Sequence, residues 1–280
     1  MSNQILVLGG TGTLGNPVAR SLAEGGNTVR VLTRSPGKAH GMFQDTVDIV
    51  EGDPVDKDHL QRAMEGCSAV HISLPTESEL LAVRHVIDLA AEENLERISY
   101  VSGTSVWEEN RWFELVDVKM EAEDLLRRSG IPHTVFCPTW VMEVLHKFVQ
   151  GDRAAVIAGK NAPGLHFLAA ADFGRMVATS YEDNRALGKR LFIHGPESIT
   201  LVNALQKFLK GCYPQVKVMR LKLWQARLIA RLTGRMDSVS RLIAYFDKVG
   251  ELGGPVEANA LLGPPTITFD DWIKSQGQQR

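Results

Sequence analysis

The fold class predicted by this sequence is α/β: a doubly wound parallel sheet followed by a smaller C-terminal lobe. Three observations predict it. Short β-branched runs alternate with helix-length amphipathic segments up to about residue 138, the pattern of repeated βαβ units. The first run leads straight into a cluster of glycines. After about residue 140 the alternation gives way to loop-rich sequence. The expected division is 1–150 for the first domain and 151–280 for a lobe interleaved with it, and 280 residues at 44% hydrophobic suffice to build a full core.

Six strands are expected: ILVLG (5–9), TVRVLT (28–33), VDIVEGD (47–53), AVHISLP (69–75), RISYVSG (97–103) and HTVFCP (133–138). Between them, residues 13–26, 56–66, 78–94 and 111–130 carry apolar side chains at three- and four-residue spacing, the period of an amphipathic helix. Gly25, Gly66, Asn94 and Gly130 stand where helix C-termini favour glycine or asparagine. Beyond residue 140, 149–174 is loop-rich, KRLFIHG (189–195) and VKVMRL (216–221) look like extra strands, and 223–250 has the pattern of two helices broken at Thr233 and Gly234.

Charge and composition exclude several classes of function. With 31 basic against 33 acidic residues and no long cationic run, the chain has no general attraction for nucleic acid. No apolar run reaches the roughly 18 residues needed to cross a bilayer, and the N-terminus lacks a basic region and a cleavage site, so a cytoplasmic protein is expected. Cys67, Cys137 and Cys212 are too few and too scattered for a disulfide framework or a metal site, and buried thiols are expected. No metal ligand set is expected.

Glycine weakens strands and helices alike, so Gly9, Gly10, Gly12 and Gly15 between a strand and a helix call for a reason. A dinucleotide supplies one. Its pyrophosphate needs close backbone approach and helix N-terminal amides, with Gly9 for the tight turn, Gly12 for the phosphate and Gly15 for helix packing. A strand end bearing Arg34 and Ser35, with Lys38 one short loop away and no carboxylate in the ribose position, suits a 2′-phosphate, so NADP(H) is the expected cofactor. Asp53, before Pro54, suits a turn or helix-cap position.

The motifs GGTGTLG (9–15), EGD (51–53), YVSGTS (100–105), KMEAE (119–123) and CPTWVMEVL (137–145) together resemble an atypical short-chain dehydrogenase/reductase of the NmrA-like and isoflavone-reductase-like branch. The resemblance covers nearly the whole chain and implies a Rossmann-type fold. It implies that Gly9, Thr11, Gly12, Thr13, Leu14 and Gly15 cradle the cofactor, and that Asp53, Leu74, Pro75 and Pro138 wall it. Lys119 and Ser102 would serve the reaction, with Thr104, Trp140 and Met142 around an apolar substrate. The family's Tyr-x-x-x-Lys is incomplete, because Leu115 precedes Lys119 by four residues. The lysine-only pattern matches the isoflavone-reductase-like branch, where this lysine binds the nicotinamide ribose. Glu123 is its alternative partner at i+4, and on that packing flank Met in place of Lys119 is expected to leave the fold intact. Two functions are compatible: an NADPH-dependent reductase of a small carbonyl, enone or quinone, and a cofactor-sensing regulator that acts through a protein partner. His133, His166 and His194 have no partner visible in sequence and are expected to be structural.

Overall fold

The computed structural model describes residues 4–93, 95–150, 153–157, 163–221 and 249–278. Asn94 and the break expected at Thr233 and Gly234 lie outside them. The chain forms two compact units. The first comprises 1–138, 170–193 and 253–265; the second comprises 139–169, 194–252 and 266–280. The first unit therefore breaks off at Pro138, ahead of the expected 150, and takes back two later segments.

The first unit opens with β1 (Gln4–Leu8), α1 (Gly15–Glu24), β2 (Thr28–Thr33), α2 (Pro36–Phe43), β3 (Asp48–Glu51) and α3 (Lys57–Met64). It continues with β4 (Ala69–Ile72), α4 (Thr76–Leu89), β5 (Arg97–Val101), α5 (Glu114–Ser129), β6 (His133–Pro138) and, after the excursion, α6 (Ala170–Glu182). All six expected strands form. A seventh, Arg190–Ile193, pairs parallel with β6, so KRLFIHG extends the main sheet up to Ile193, and only His194 and Gly195 belong to the second unit. Its alternating burial, with Leu191 and Ile193 inside, marks a strand without showing which sheet it joins.

Sheet order runs β3-β2-β1-β4-β5-β6 and then Arg190–Ile193, every pairing parallel. The order reverses between β1 and β4, and the crevice beyond the strand C-termini at such a switch point is where open α/β sheets bind ligands. Apolar residues cover both faces. Leu6, Leu8, Val70, Ile72 and Ile98 pack with Leu60, Val83, Val86 and Leu126 of the helices on one face. Each such buried aliphatic side chain contributes roughly 1.5–3 kcal/mol. On α6, a Cβ at Gly174 would lie 2.5 Å from the Pro17 carbonyl oxygen, so only glycine lets α6 approach α1 so closely.

Helix ends follow the expected chemistry in part. Gly130 closes α5 at φ +71°, and Gly66 follows α3 at φ +74°. Gly25 has φ −76° and it is Gly26, at φ +85°, that turns the chain. Helix α2 was not foreseen: its Gly37 and Gly41 disguise the pattern, and Pro36 at the first turn starts it. Lys38 consequently sits on a helix and not in a loop.

In the second unit α7 (Leu201–Cys212) packs against the helix Phe269–Gln278. Phe208, Trp272, Phe269, Phe167 and Leu145 form its core. Residues 217–221, expected as a strand, pair parallel with 153–157 in a three-stranded sheet.

Candidate functional site

The glycine turn is built from contacts that no side chain could share. Gly9 has φ +83°, and a Cβ there would stand 2.0 Å from the Ser73 carbonyl oxygen in the loop after β4. At Gly15 a Cβ would fall 2.2 Å from the Gly9 oxygen. The Gly12 amide donates to the Gly9 oxygen at 2.8 Å and closes the turn. Gly12 itself is exposed, and a Cβ there would meet only that oxygen, at 3.1 Å. Two glycines thus serve the fold, while Gly12 leaves an open surface beside exposed Thr13 and half-buried Thr11 and Leu14. Helix α1, with Leu14 at its N-cap position, has no side-chain cap and no acidic residue in its first turn. Its positive end is therefore left for an anion, and this bare cradle fits a pyrophosphate.

At the end of β2, Arg34 is 72% exposed and its guanidinium lies 3.7 Å from the Asp53 carboxylate. Exposed Ser35 donates its amide to Thr33 Oγ1 at 3.1 Å. The Lys38 ammonium reaches back to the Thr11 carbonyl at 3.3 Å, so α2 carries its charge to the glycine turn. Asp53 accepts from the Val55 amide, a turn role, but the cap of α3 is Asp56, which accepts from the amides of Asp58 and His59. After β4, half-buried Leu74 packs on the core, and exposed Pro75 leads into α4, which begins two residues earlier than its periodicity suggests.

The C-terminal end of β5 is built from side chains. Lys119 donates to Glu79 Oε1 at 2.8 Å and to the Val101 carbonyl at 2.7 Å, and its ammonium stands 5.3 Å from the centre of the Tyr100 ring. The Lys119 side chain is 12% exposed and that of Glu79 1%. The alternative partner, Glu123, is not the one the lysine takes: from α5 it turns inward to α4, where Glu79 interrupts the buried stripe Ala82, Val83 and Val86. A carboxylate on an apolar stripe was the signal that sequence reasoning missed. Methionine at Lys119 would strand Glu79 without a partner, so the expectation of an unharmed fold also falls. Burial first, then the charge of Glu79, push the Tyr100 phenol well above its ordinary range.

Glu123 instead binds Arg190 at 2.9 Å and accepts from the Ser102 hydroxyl. Arg190 lies over the rings of Trp107 and Phe192, which stack on each other. Ser102 is buried, and its amide donates to the Phe136 carbonyl at 2.7 Å. Thr104 is buried too; its amide donates to the carbonyl of Pro138 at the end of β6, and its own carbonyl accepts from Trp107 Nε1. Lys119, Ser102, Thr104 and Pro138 thus gather around the ends of β5 and β6.

In the second unit Met142 is 1% exposed and belongs to the core with Leu145 and Phe167, so it offers no surface to a substrate. Trp140 packs partly buried against the same core. Two of the three histidines have hydrogen-bond partners, while the His194 Nε2 is buried without one. His133 Nδ1 bonds to the Ile131 carbonyl, and His166 binds Glu251 through both its amide and Nδ1, the latter at 2.7 Å. His194 stacks at a tilt beside His166, and burial, then the charge of His166, bring it down to about 4. Cys67, Cys137 and Cys212 are buried and unbridged.

Among the described residues no helix is long and apolar enough to cross a membrane. The chain is 29% identical over 280 residues, 96% of each chain, to (4-alkanoyl-5-oxo-2,5-dihydrofuran-3-yl)methyl phosphate reductase of Streptomyces griseus. Its fold is shared by NADPH-dependent quinone oxidoreductase of Escherichia coli, at TM-score 0.76 and 22% identity, covering 97% of this chain and 99% of that one. Triphenylmethane reductase of Citrobacter sp. is similar at TM-score 0.75 and 16% identity, covering 98% and 99%. Isoflavone reductase shares the fold at TM-score 0.69 and 18% identity. With the Rossmann sheet, the uncapped glycine cradle and a family match spanning residues 9–176, this protein belongs to the NAD(P)H-binding family.

Proposed function

We propose that this protein is an NADPH-dependent reductase of a small, largely apolar carbonyl, enone or quinone. The observation that carries the reading is the placement of Lys119. Its ammonium is bound to the last carbonyl of β5, at the sheet edge where ligands bind, and two of its three donors are engaged. The third is left for the nicotinamide ribose, with Glu79 holding the side chain in one position. When bound, the cofactor supplies a hydride; the chain supplies position. Gly9, Thr11, Gly12, Thr13, Leu14 and Gly15 receive the pyrophosphate, and Leu74, Pro75 and Pro138 wall the nucleotide.

NADP(H) is preferred because Arg34, Ser35 and Lys38 converge at the end of β2, and the Asp53 carboxylate nearby is engaged by Arg34. The enone class draws support from the Streptomyces relative, whose name describes an unsaturated lactone as its reductase substrate. The neighbours named as quinone and triphenylmethane reductases support an apolar acceptor.

A second reading, a sensor that binds NADPH without turnover, is favoured by one observation. Leu115 replaces the tyrosine acid, and the Ser102 hydroxyl is committed to Glu123. NADPH oxidation across quinones, enones and aldehydes distinguishes the two. The reductase reading expects turnover with at least one class, lost by roughly 10-fold or more in the double variant Glu79→Gln/Lys119→Met, because ribose positioning sets hydride geometry. Tight NADPH binding with no oxidation by any acceptor would establish the sensor instead.

A further inference from the structure

Three side chains of the second unit, none used by the cofactor reading, meet where three separate segments of the chain converge: His166, His194 and Glu251. Leu165 pairs antiparallel with Ile199, which folds the segment after 194 back on the segment around 166. The closeness is set by a glycine. A Cβ at Gly195 would stand 1.9 Å from the Phe167 carbonyl oxygen, and the Gly195 amide donates to the His166 carbonyl at 3.0 Å. The two imidazoles are thereby held side by side, with ring centres 5.3 Å apart. Glu251 is fixed from the same residue, its carboxylate accepting from the His166 amide at 2.8 Å and meeting Nδ1 at 2.7 Å.

The electrostatics of this group call for a cation. The Glu251 side chain is 7% exposed, and among the described residues no lysine or arginine pairs with it. His194 Nε2 is buried with no hydrogen-bond partner, so ligation through it gives up no existing bond. One nitrogen from each histidine and one carboxylate oxygen lie within 4.8 Å of one another. Zinc bonds of about 2.1 Å put tetrahedral ligands roughly 3.4 Å apart, so the group has to draw in by about 1.4 Å at most. Rotation of His166, whose side chain is 37% exposed, and of half-buried His194 provides that movement, and the way in lies over His166. We propose that His166, His194 and Glu251 form a binding site for a divalent transition-metal ion of the zinc type. Two imidazoles and a carboxylate select such an ion over magnesium or calcium, which take oxygen shells. Three protein ligands leave a coordination position open, which water or an oxygen or nitrogen donor of a small ligand completes. Far apart in sequence, the three residues have none of the close spacing by which zinc motifs are read.

Titration of zinc into the metal-free full chain, without dinucleotide and in competition with a chromophoric chelator, tests the site independently of the cofactor reading. One ion per chain is expected, with roughly micromolar or tighter affinity, and magnesium in large excess should not displace it. His194→Phe keeps a ring in the same space, and Glu251→Gln keeps the shape and the acceptor for the His166 amide. Each should weaken zinc binding by roughly 10-fold or more, and Glu251→Gln carries the test if His194→Phe fails to fold. No zinc bound by the wild type, or unchanged affinity in either folded variant, overturns the site. Displacement by magnesium overturns the assignment to a transition metal.

Discussion

The β1 and β5 ends of one sheet edge are made differently. At β1 the surface is bare backbone, shaped by glycines whose missing Cβ atoms leave Gly12 open and α1 uncapped. At β5 the polar side chains close upon one another, Lys119 on Glu79 and Ser102 on Glu123, with Arg190 beneath. The difference teaches that a cradle for an anion is made by removing atoms, whereas a side chain that must hold one position near a reacting ring is made by pairing it. The first fails when an atom is added; the second is a network in which one deletion strands a neighbour.

The largest expected effect breaks the β1 end. Gly12→Val puts a branched side chain on the exposed surface of the cradle with little effect on the fold, since the Cβ meets only the Gly9 oxygen at 3.1 Å. Calorimetric titration should find dinucleotide binding abolished in a folded protein. Wild-type affinity would show that the phosphate does not lie there.

Next in size is a test of the pairing at β5. Lys119→Met alone leaves Glu79 as an uncompensated buried charge and should lower unfolding free energy by about 3–5 kcal/mol in a denaturant titration. Adding Glu79→Gln should restore most of that loss. If the single variant is as stable as the wild type, Glu79 is not held by Lys119 and the contrast between the two ends disappears.

The smallest effect sharpens the β1 side. Arg34→Ala should weaken NADPH binding about 10-fold or somewhat more, the worth of a charge-assisted contact, while NADH affinity stays within a factor of about two. Stability should move by less than about 1 kcal/mol, because the Arg34–Asp53 pair is largely exposed. Equal loss for both cofactors would remove Arg34 from phosphate recognition.

What the sequence determined by itself is what local rules govern. The six strands, the helices between them other than α2, and the glycine turn follow from period, from β-branching and from the backbone freedom of Gly9, all set within a few neighbouring residues. Tertiary structure decided what depends on partners distant in the chain. It sent Arg190–Ile193 to the main sheet, buried Met142 in the second unit's core, and turned Lys119 towards Glu79, 40 residues away, and not Glu123. The physical reason is that a charge near an apolar face takes whichever opposite charge the packed helices bring within reach, and only the packing of α4 on α5 brings Glu79 there. Sequence spacing ranks neighbours along a helix; desolvation ranks them in space.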